Sequence, residues 1–187
     1  MQMEWMRKLG VLLLLLCPAV VNAQGIYEVN GGSVSFHSDA PKELISASST
    51  GLKGIIDLEK KTFAFKIGIG SFMGFNSPLQ REHFNENYME TTIFPEATFS
   101  GKIIEDIDLT KDGTYVIRAK GKMRIHGVDQ ERIIRSTIVS DKGRLSVKSD
   151  FAVLLSDHNI KIPKLVNNKL APEISVSVNA TLRQRDK

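Results

Sequence analysis

Residues 115–125, YVIRAKGKMRI, change character at every step: Tyr115, Ile117, Ala119, Gly121, Met123 and Ile125 fall on one side of an extended chain, and Val116, Arg118, Lys120, Lys122 and Arg124 on the other. Successive side chains of a strand point to opposite faces, so a period of two makes one dry face and one wet face. The same beat returns in Phe63, Phe65, Ile67 and Ile69, in Phe99, Gly101 and Ile103, in Leu145, Val147, Phe151 and Val153, and in Ile174, Val176, Val178, Ala180 and Leu182. Further strands are expected at Val34 to Phe36, Ile45 to Ala47, Leu52 to Asp57 and Ile133 to Val139, which makes about eight or nine in all. Asn30-Gly31-Gly32, Lys111-Asp112-Gly113 and Asp141-Lys142-Gly143 are glycine-bearing corners suited to hairpins, so consecutive strands are expected to be mostly antiparallel neighbours.

One segment reads as helix. Ser77 suits an N-cap and Pro78 a first turn, Leu79, His83, Phe84 and Tyr88 recur at spacings near four, and Phe94-Pro95 ends the run. A second short turn is expected around Lys164 to Lys169. A sheet with one dry face and so little helix must hide that face against a second sheet or by curling on itself. The fold class expected is therefore all-β with one or two short helices, either two packed sheets or an antiparallel barrel of about eight strands. Such a barrel either fills with side chains or holds one small ligand. Gly54, Ala119, Gly121 and Ala180 bear on that choice, since small inward residues leave room in a cavity or mark bulges and bends.

The N-terminus carries an export pattern. Arg7 and Lys8 supply positive charge, Leu9 to Leu16 an apolar run too short to span a bilayer, and Val21-Asn22-Ala23 a small-residue cleavage site. Residues 1–23 are read as a signal peptide and residues 24–187 as one domain. The competing reading, a lipoprotein acylated at Cys17, meets Leu16 where such signals carry Gly, Ala or Ser. Cleavage after Ala23 removes the one Cys and the one Trp, so disulfides and thiolate metal sites drop out. A formal net charge of +4, reduced further by loss of the signal, is too weak a bias to argue for nucleic acid. The expected location is periplasmic or secreted.

The block Gln80 to Gly101, QREHFNENYMETTIFPEATFSG, with His83-Phe84, Phe94-Pro95 and Thr98-Phe99-Ser100-Gly101, resembles the central block of the YceI-like proteins. The resemblance continues through Gly121-Lys122-Met123-Arg124-Ile125-His126-Gly127-Val128 and covers Tyr27 to Leu182. It implies an exported all-β protein, a single antiparallel lipocalin-like barrel of about eight strands with one or two short helices, whose apolar tunnel holds an isoprenoid or other long amphiphile. Where many members carry Thr and Lys after the Gly-Val pair, this chain has Asp129-Gln130-Glu131-Arg132, which leaves the polar rim and the head group open.

On that reading the tunnel lining is expected from Phe36, Phe63, Phe65, Ile67, Phe99, Tyr115, Ile117, Met123 and Phe151. Each is also an ordinary core residue, so the expectation attaches to the set. His83 and Tyr88 are candidates for a head-group contact at the mouth, with a structural histidine holding Tyr88 or a loop carbonyl as the alternative for His83. His37, His83, His126 and His158 are scattered without a His-Glu-x-x-His pattern, so neither a metal nor a cofactor is expected. Asp157-His158 lacks a Gly-x-Ser-x-Gly partner and reads as a polar loop, and no catalytic residue is assigned.

The stripe Arg118, Lys120, Lys122, Arg124 reads as a solvated strand face, with attraction to an anionic membrane surface as the alternative. The leading function is a non-catalytic carrier or sequestering protein for a lipid, with peripheral membrane contact and a homodimer left open. Two alternatives stand beside it. An outer-membrane barrel would need aromatic girdles, for which three Tyr and no Trp remain after Ala23. A cavity-based hydrolase or isomerase would need convergent acid, base and nucleophile among the inward positions.

Overall fold

The alternating stretches become nine antiparallel strands. The computed structural model describes residues 25–185 and contains β1 (Ile26–Ala40), β2 (Glu43–Ser49), β3 (Lys53–Asp57), β4 (Thr62–Gly68), β5 (Glu96–Ile103), β6 (Gly113–Ile125), β7 (Val128–Asp141), β8 (Arg144–Leu154) and β9 (Glu173–Gln184). The predicted signal peptide, with Cys17, lies outside the described residues. Strands β3 to β9 pair in chain order, and β1 pairs with both β3 and β9, which closes an eight-stranded ring. The ninth strand, β2, lies beside the second half of β1, from Val34–Ser49 to Ala40–Glu43, while β3 takes the first half, Ile26 to Glu28.

Strand β1 serves three neighbours because it bends. Val29 pairs with Leu182 but Gly31 with Thr181, so Asn30 is an extra residue in the ladder. One such insertion kinks a strand and increases its twist. Asn30-Gly31-Gly32 is therefore a bulge inside a continuous strand and not the hairpin corner expected from its composition. Lys111-Asp112-Gly113 likewise closes a longer loop between β5 and β6. Asp141-Lys142-Gly143 does form a tight turn, with Lys142 and Gly143 at φ 47° and 72°, and His126-Gly127 forms another at φ 49° and 73°. Positive φ at both central residues matches the twist of the flanking strands.

The small inward residues divide between the two roles. Gly101 and Gly121 face each other across β5 and β6. A Cβ on either would fall well inside contact with the carbonyl oxygen of Lys120 or Ser100, so the pair permits a close backbone approach. Gly54 makes way for the ring of Phe65. Ala119 and Ala180, by contrast, do border open space inside the barrel.

The two ends of the barrel differ. At one, the starts of β1, β6 and β8 meet the end of β9, and Tyr27, Leu145 and Leu182 pack with Leu109 from the β5–β6 loop. Leu145 and Leu182 are a cross-strand pair with no exposed surface. Ser140 Oγ donates to the Leu109 carbonyl at 2.9 Å, which ties the loop under this floor. At the other end the chain leaves β4 for the helical excursion expected from sequence. Ser77 Oγ caps α1 (Pro78–His83) by accepting from the Gln80 N–H at 3.1 Å, and Pro78 opens it. The helix widens into a π turn, Phe84–Tyr88, and Phe94-Pro95 leads into β5. The short turn near Lys164 is also present, as a 3₁₀ segment over Lys164–Val166.

Candidate ligand-binding cavity

The inward face of the ring does not fill its own interior. A cavity of about 540 Å³ runs from the helical excursion toward the floor. Small-molecule sites range from about 300 to 1,000 Å³, so the space suits a ligand rather than a stray water. Phe36, Phe63, Phe65, Ile67, Phe99, Ile117, Met123 and Phe151 line it. Tyr115 does not. It shares their strand face but lies toward the floor, where its hydroxyl donates to the Lys111 carbonyl at 3.0 Å and braces the β5–β6 loop. Period two assigns a residue to a face, whereas its depth in the barrel follows from the register of its neighbours.

Two aromatic groups shape the interior. Phe63 and Phe99 meet at 4.9 Å between ring centroids on adjacent strands. Nearer the mouth, Phe36 contacts Phe72 and Phe84 at 5.4 Å each, and Phe75 and Phe84 lie 5.0 Å apart. These four rings join β1, the loop before α1 and the π turn into a cover over the cavity. Phe72 and Phe75 were not expected from the sequence, because they stand in a segment with neither a two-residue nor a helical period. The one local signal is the Phe-Met-Gly-Phe run between two strands.

Polar groups on the lining concentrate at the mouth. Glu43 Oε1 accepts from Gln80 Nε2 at 2.8 Å, and Lys66 Nζ donates to Glu96 at 2.9 Å. His83, Ser77 and Lys169 border the same region, and so does Tyr88. Burial raises the Tyr88 phenol above its ordinary pKa, so the hydroxyl stays protonated and can donate. The inner exception is a pair of hydroxyls, Ser136 and Ser149, hydrogen-bonded to each other at 2.6 Å across β7 and β8. Among the described residues, no three His, Cys, Asp or Glu side chains are grouped to hold a metal ion.

Histidines that are scattered in sequence converge beside the mouth. His126 Nε2 meets Glu90 Oε2 at 2.7 Å, and its Nδ1 meets the His158 carbonyl at 3.0 Å. This joins the end of the helical excursion to the β6–β7 turn and to the 3₁₀ segment Leu155–His158. His158 is not part of a polar loop, as its neighbour Asp157 suggested. It has no exposed surface, its Nδ1 faces the Val128 carbonyl at 3.3 Å, and its Nε2 is buried without a partner.

Burial holds the His158 pKa below its ordinary value, outweighing the carbonyls and Asp157 that favour the charged ring. The unfolded chain then binds this proton more readily than the folded one. The contribution of His158 to stability is therefore complete above about pH 6.5, the unperturbed value, and is lost as pH falls from there toward the folded pKa. Urea unfolding at pH 7.5 and pH 5.5 is expected to show lower stability at the acid value. His158→Phe should shrink that difference, and an unchanged difference would place the effect elsewhere.

A YceI-like domain profile matches residues 27–182. The chain belongs to the YceI-like family. Solved structures agree with that placement at the level of fold. A polyisoprenoid-binding domain from Saccharophagus degradans aligns at a TM-score of 0.71 and 14% identity, covering 85% of this chain and 98% of that one. Burkholderia cenocepacia BcnA aligns at 0.66 and 14%, covering 80% and 95%. The Campylobacter jejuni YceI protein aligns at 0.53 and 15%, covering 67% and 74%. No curated protein matches the sequence.

In this YceI-like barrel the departure at Asp129-Gln130-Glu131-Arg132 does not reach the cavity lining. Asp129 pairs with Lys122 at 3.3 Å and Arg124 at 3.8 Å on the outer face. Gln130 Nε2 donates to the Asp157 carbonyl at 2.7 Å, and Arg132 to the Ala152 carbonyl at 2.5 Å. The stretch braces β7 against β8 and the turn that follows it.

Proposed function

We propose that this protein is an exported, non-catalytic carrier that holds one long apolar or amphiphilic molecule, an isoprenoid or other lipid, inside the barrel. The observation that carries the reading is the cavity itself: about 540 Å³ walled largely by apolar side chains, with charged groups only near its mouth. Each buried methylene contributes roughly 0.8 kcal/mol, so a tail of modest length offsets the cost of its own ordering. The fold neighbour from Saccharophagus degradans, described as a polyisoprenoid-binding domain, supports the same ligand class. The outward faces favour a water-facing barrel over a membrane-spanning one: Arg118 pairs with Glu105 at 2.7 Å, and Lys122 and Arg124 share Asp129. A lipid-facing strand would carry such charges at high cost.

Native mass spectrometry of the protein purified from cells with their own lipids is the direct test. A bound mass that leaves on organic extraction and is recovered in the solvent is expected. A bare polypeptide mass in every preparation would overturn the carrier reading.

A further inference from the structure

We propose that the outer wall formed by β5, β6 and β7 is a docking surface for an anionic phospholipid bilayer. It does not depend on what fills the cavity. The basic stripe of β6 divides in the structure. Arg118 is met by Glu105 at 2.7 Å, and Lys122 and Arg124 share Asp129 at 3.3 and 3.8 Å. Glu131 stands across from Lys122 as well. Lys120 has no such neighbour. It lies directly across from Lys102 of β5, and Arg118, two residues back along β6, lies directly across from Arg135 of β7. Lys102, Lys120 and Arg135 are all exposed, and no carboxylate among the described residues pairs with any of the three.

Two features set this wall apart from a face that is merely solvated. Like charges placed directly opposite on adjacent strands destabilise a sheet. Lys102 and Lys120 are such a pair, and Arg118 with Arg135 is a second, offset in part by Glu105. A solvated face is better served by alternating signs, the arrangement that Lys122 and Arg124 have with Asp129. Large aliphatic side chains also stand among the cations. Ile133 lies opposite Lys120, Ile104 beside Arg118 and Val116 two residues from Arg118 on β6, and they are 58%, 42% and 49% exposed. An acidic polymer in water would meet the charges and leave these side chains wet. A bilayer accepts both, the cations at its phosphates and the aliphatic groups at the boundary with the acyl chains. Three adjacent strands are about 10 Å across, a strip that a convex barrel wall can lay on a flat surface.

Vesicle flotation tests this with the protein from residue 24 onward, which carries the whole closed barrel. Phosphatidylcholine vesicles with about 30 mol% phosphatidylglycerol should carry the protein upward, vesicles of phosphatidylcholine alone should not, and about 0.5 M salt should release it. A basic residue near an anionic surface strengthens binding about fivefold, so Lys102→Gln together with Lys120→Gln should weaken it roughly 25-fold. The same double change removes a repulsive pair and should not lower Tm. Lys42→Gln with Lys161→Gln makes an equal change of net charge at exposed positions outside this wall, and binding should stay within about twofold. Ile133→Ser should weaken vesicle binding at least about threefold and leave its salt dependence unchanged. Failure of the unaltered protein to float with anionic vesicles would overturn the proposal. Full binding by the Lys102 and Lys120 double variant would overturn it too, by placing the contact on another face. Polyglutamate bound in solution as tightly as the vesicles, with Ile133→Ser altering neither, would replace the bilayer by an acidic polymer.

Discussion

Phe65→Asp is expected to abolish lipid loading while the barrel stays folded. Phe65 lies on β4 between Gly54 and Phe99, and its ring borders the cavity while part of it remains exposed. In the empty protein a carboxylate at this position can keep water in the space the ring vacates. With a hydrocarbon chain in place that water is displaced from the side of the carboxylate that faces the apolar wall, and the adjacent Lys66 is already paired with Glu96. Stripping a polar group of its hydration without replacement costs at least about 3 kcal/mol, or on the order of a hundredfold in affinity. Phe65→Leu keeps the wall apolar and should retain most of the loading. The measurement is the lipid-bound fraction by native mass spectrometry, with circular dichroism to establish the fold. Unchanged loading in a folded Phe65→Asp protein would remove this residue from the binding surface.

The second large effect falls on stability. Gly101→Ala should destabilise the protein by about 3 kcal/mol, because the new methyl would press on the Lys120 carbonyl and the Gly121 backbone across the ladder. Neither group is the tip of a side chain that can rotate aside, so relief requires the two strands to separate. For a chain of this size the loss corresponds to a fall of roughly 6–12 °C in Tm by thermal denaturation. Gly31→Ala is the matched control, since nothing stands within 4 Å of the added atom. A change within about 0.5 kcal/mol is expected there. Equal effects at the two positions would show that loss of chain freedom, rather than close strand approach, governs both.

The strands were legible because burial on one face leaves a mark at every second residue. Tyr115 to Ile125 shows it most cleanly, and the structure keeps Ile117, Ala119 and Met123 buried. The helical segment was legible through its ends, Ser77-Pro78 and Phe94-Pro95. Three things were not. Asn30-Gly31-Gly32 has the composition of a corner, and only pairing with β9 on one edge and with β3 and β2 on the other makes it a bulge. Tyr115 sits on the correct face but at the wrong depth, since depth depends on how neighbouring strands are staggered. His158 follows an aspartate and looks solvated, yet the β6–β7 turn folds over it from about thirty positions away, through Val128. Tyr115 apart, the side chains named for the interior border the cavity. Its cover was missed because Phe72 and Phe75 belong to irregular chain, where periodicity carries no information.

The sealed base has a consequence for traffic. If the proposed cargo is held there, a pouch closed at its base is a cul-de-sac, so the molecule could not be threaded through it as through a conduit and would have to back out along the path by which it came. Delivery would then be loading run in reverse, and whatever receives the molecule would have to meet the protein at the same rim, parting Phe36, Phe72, Phe75 and Phe84 on the way.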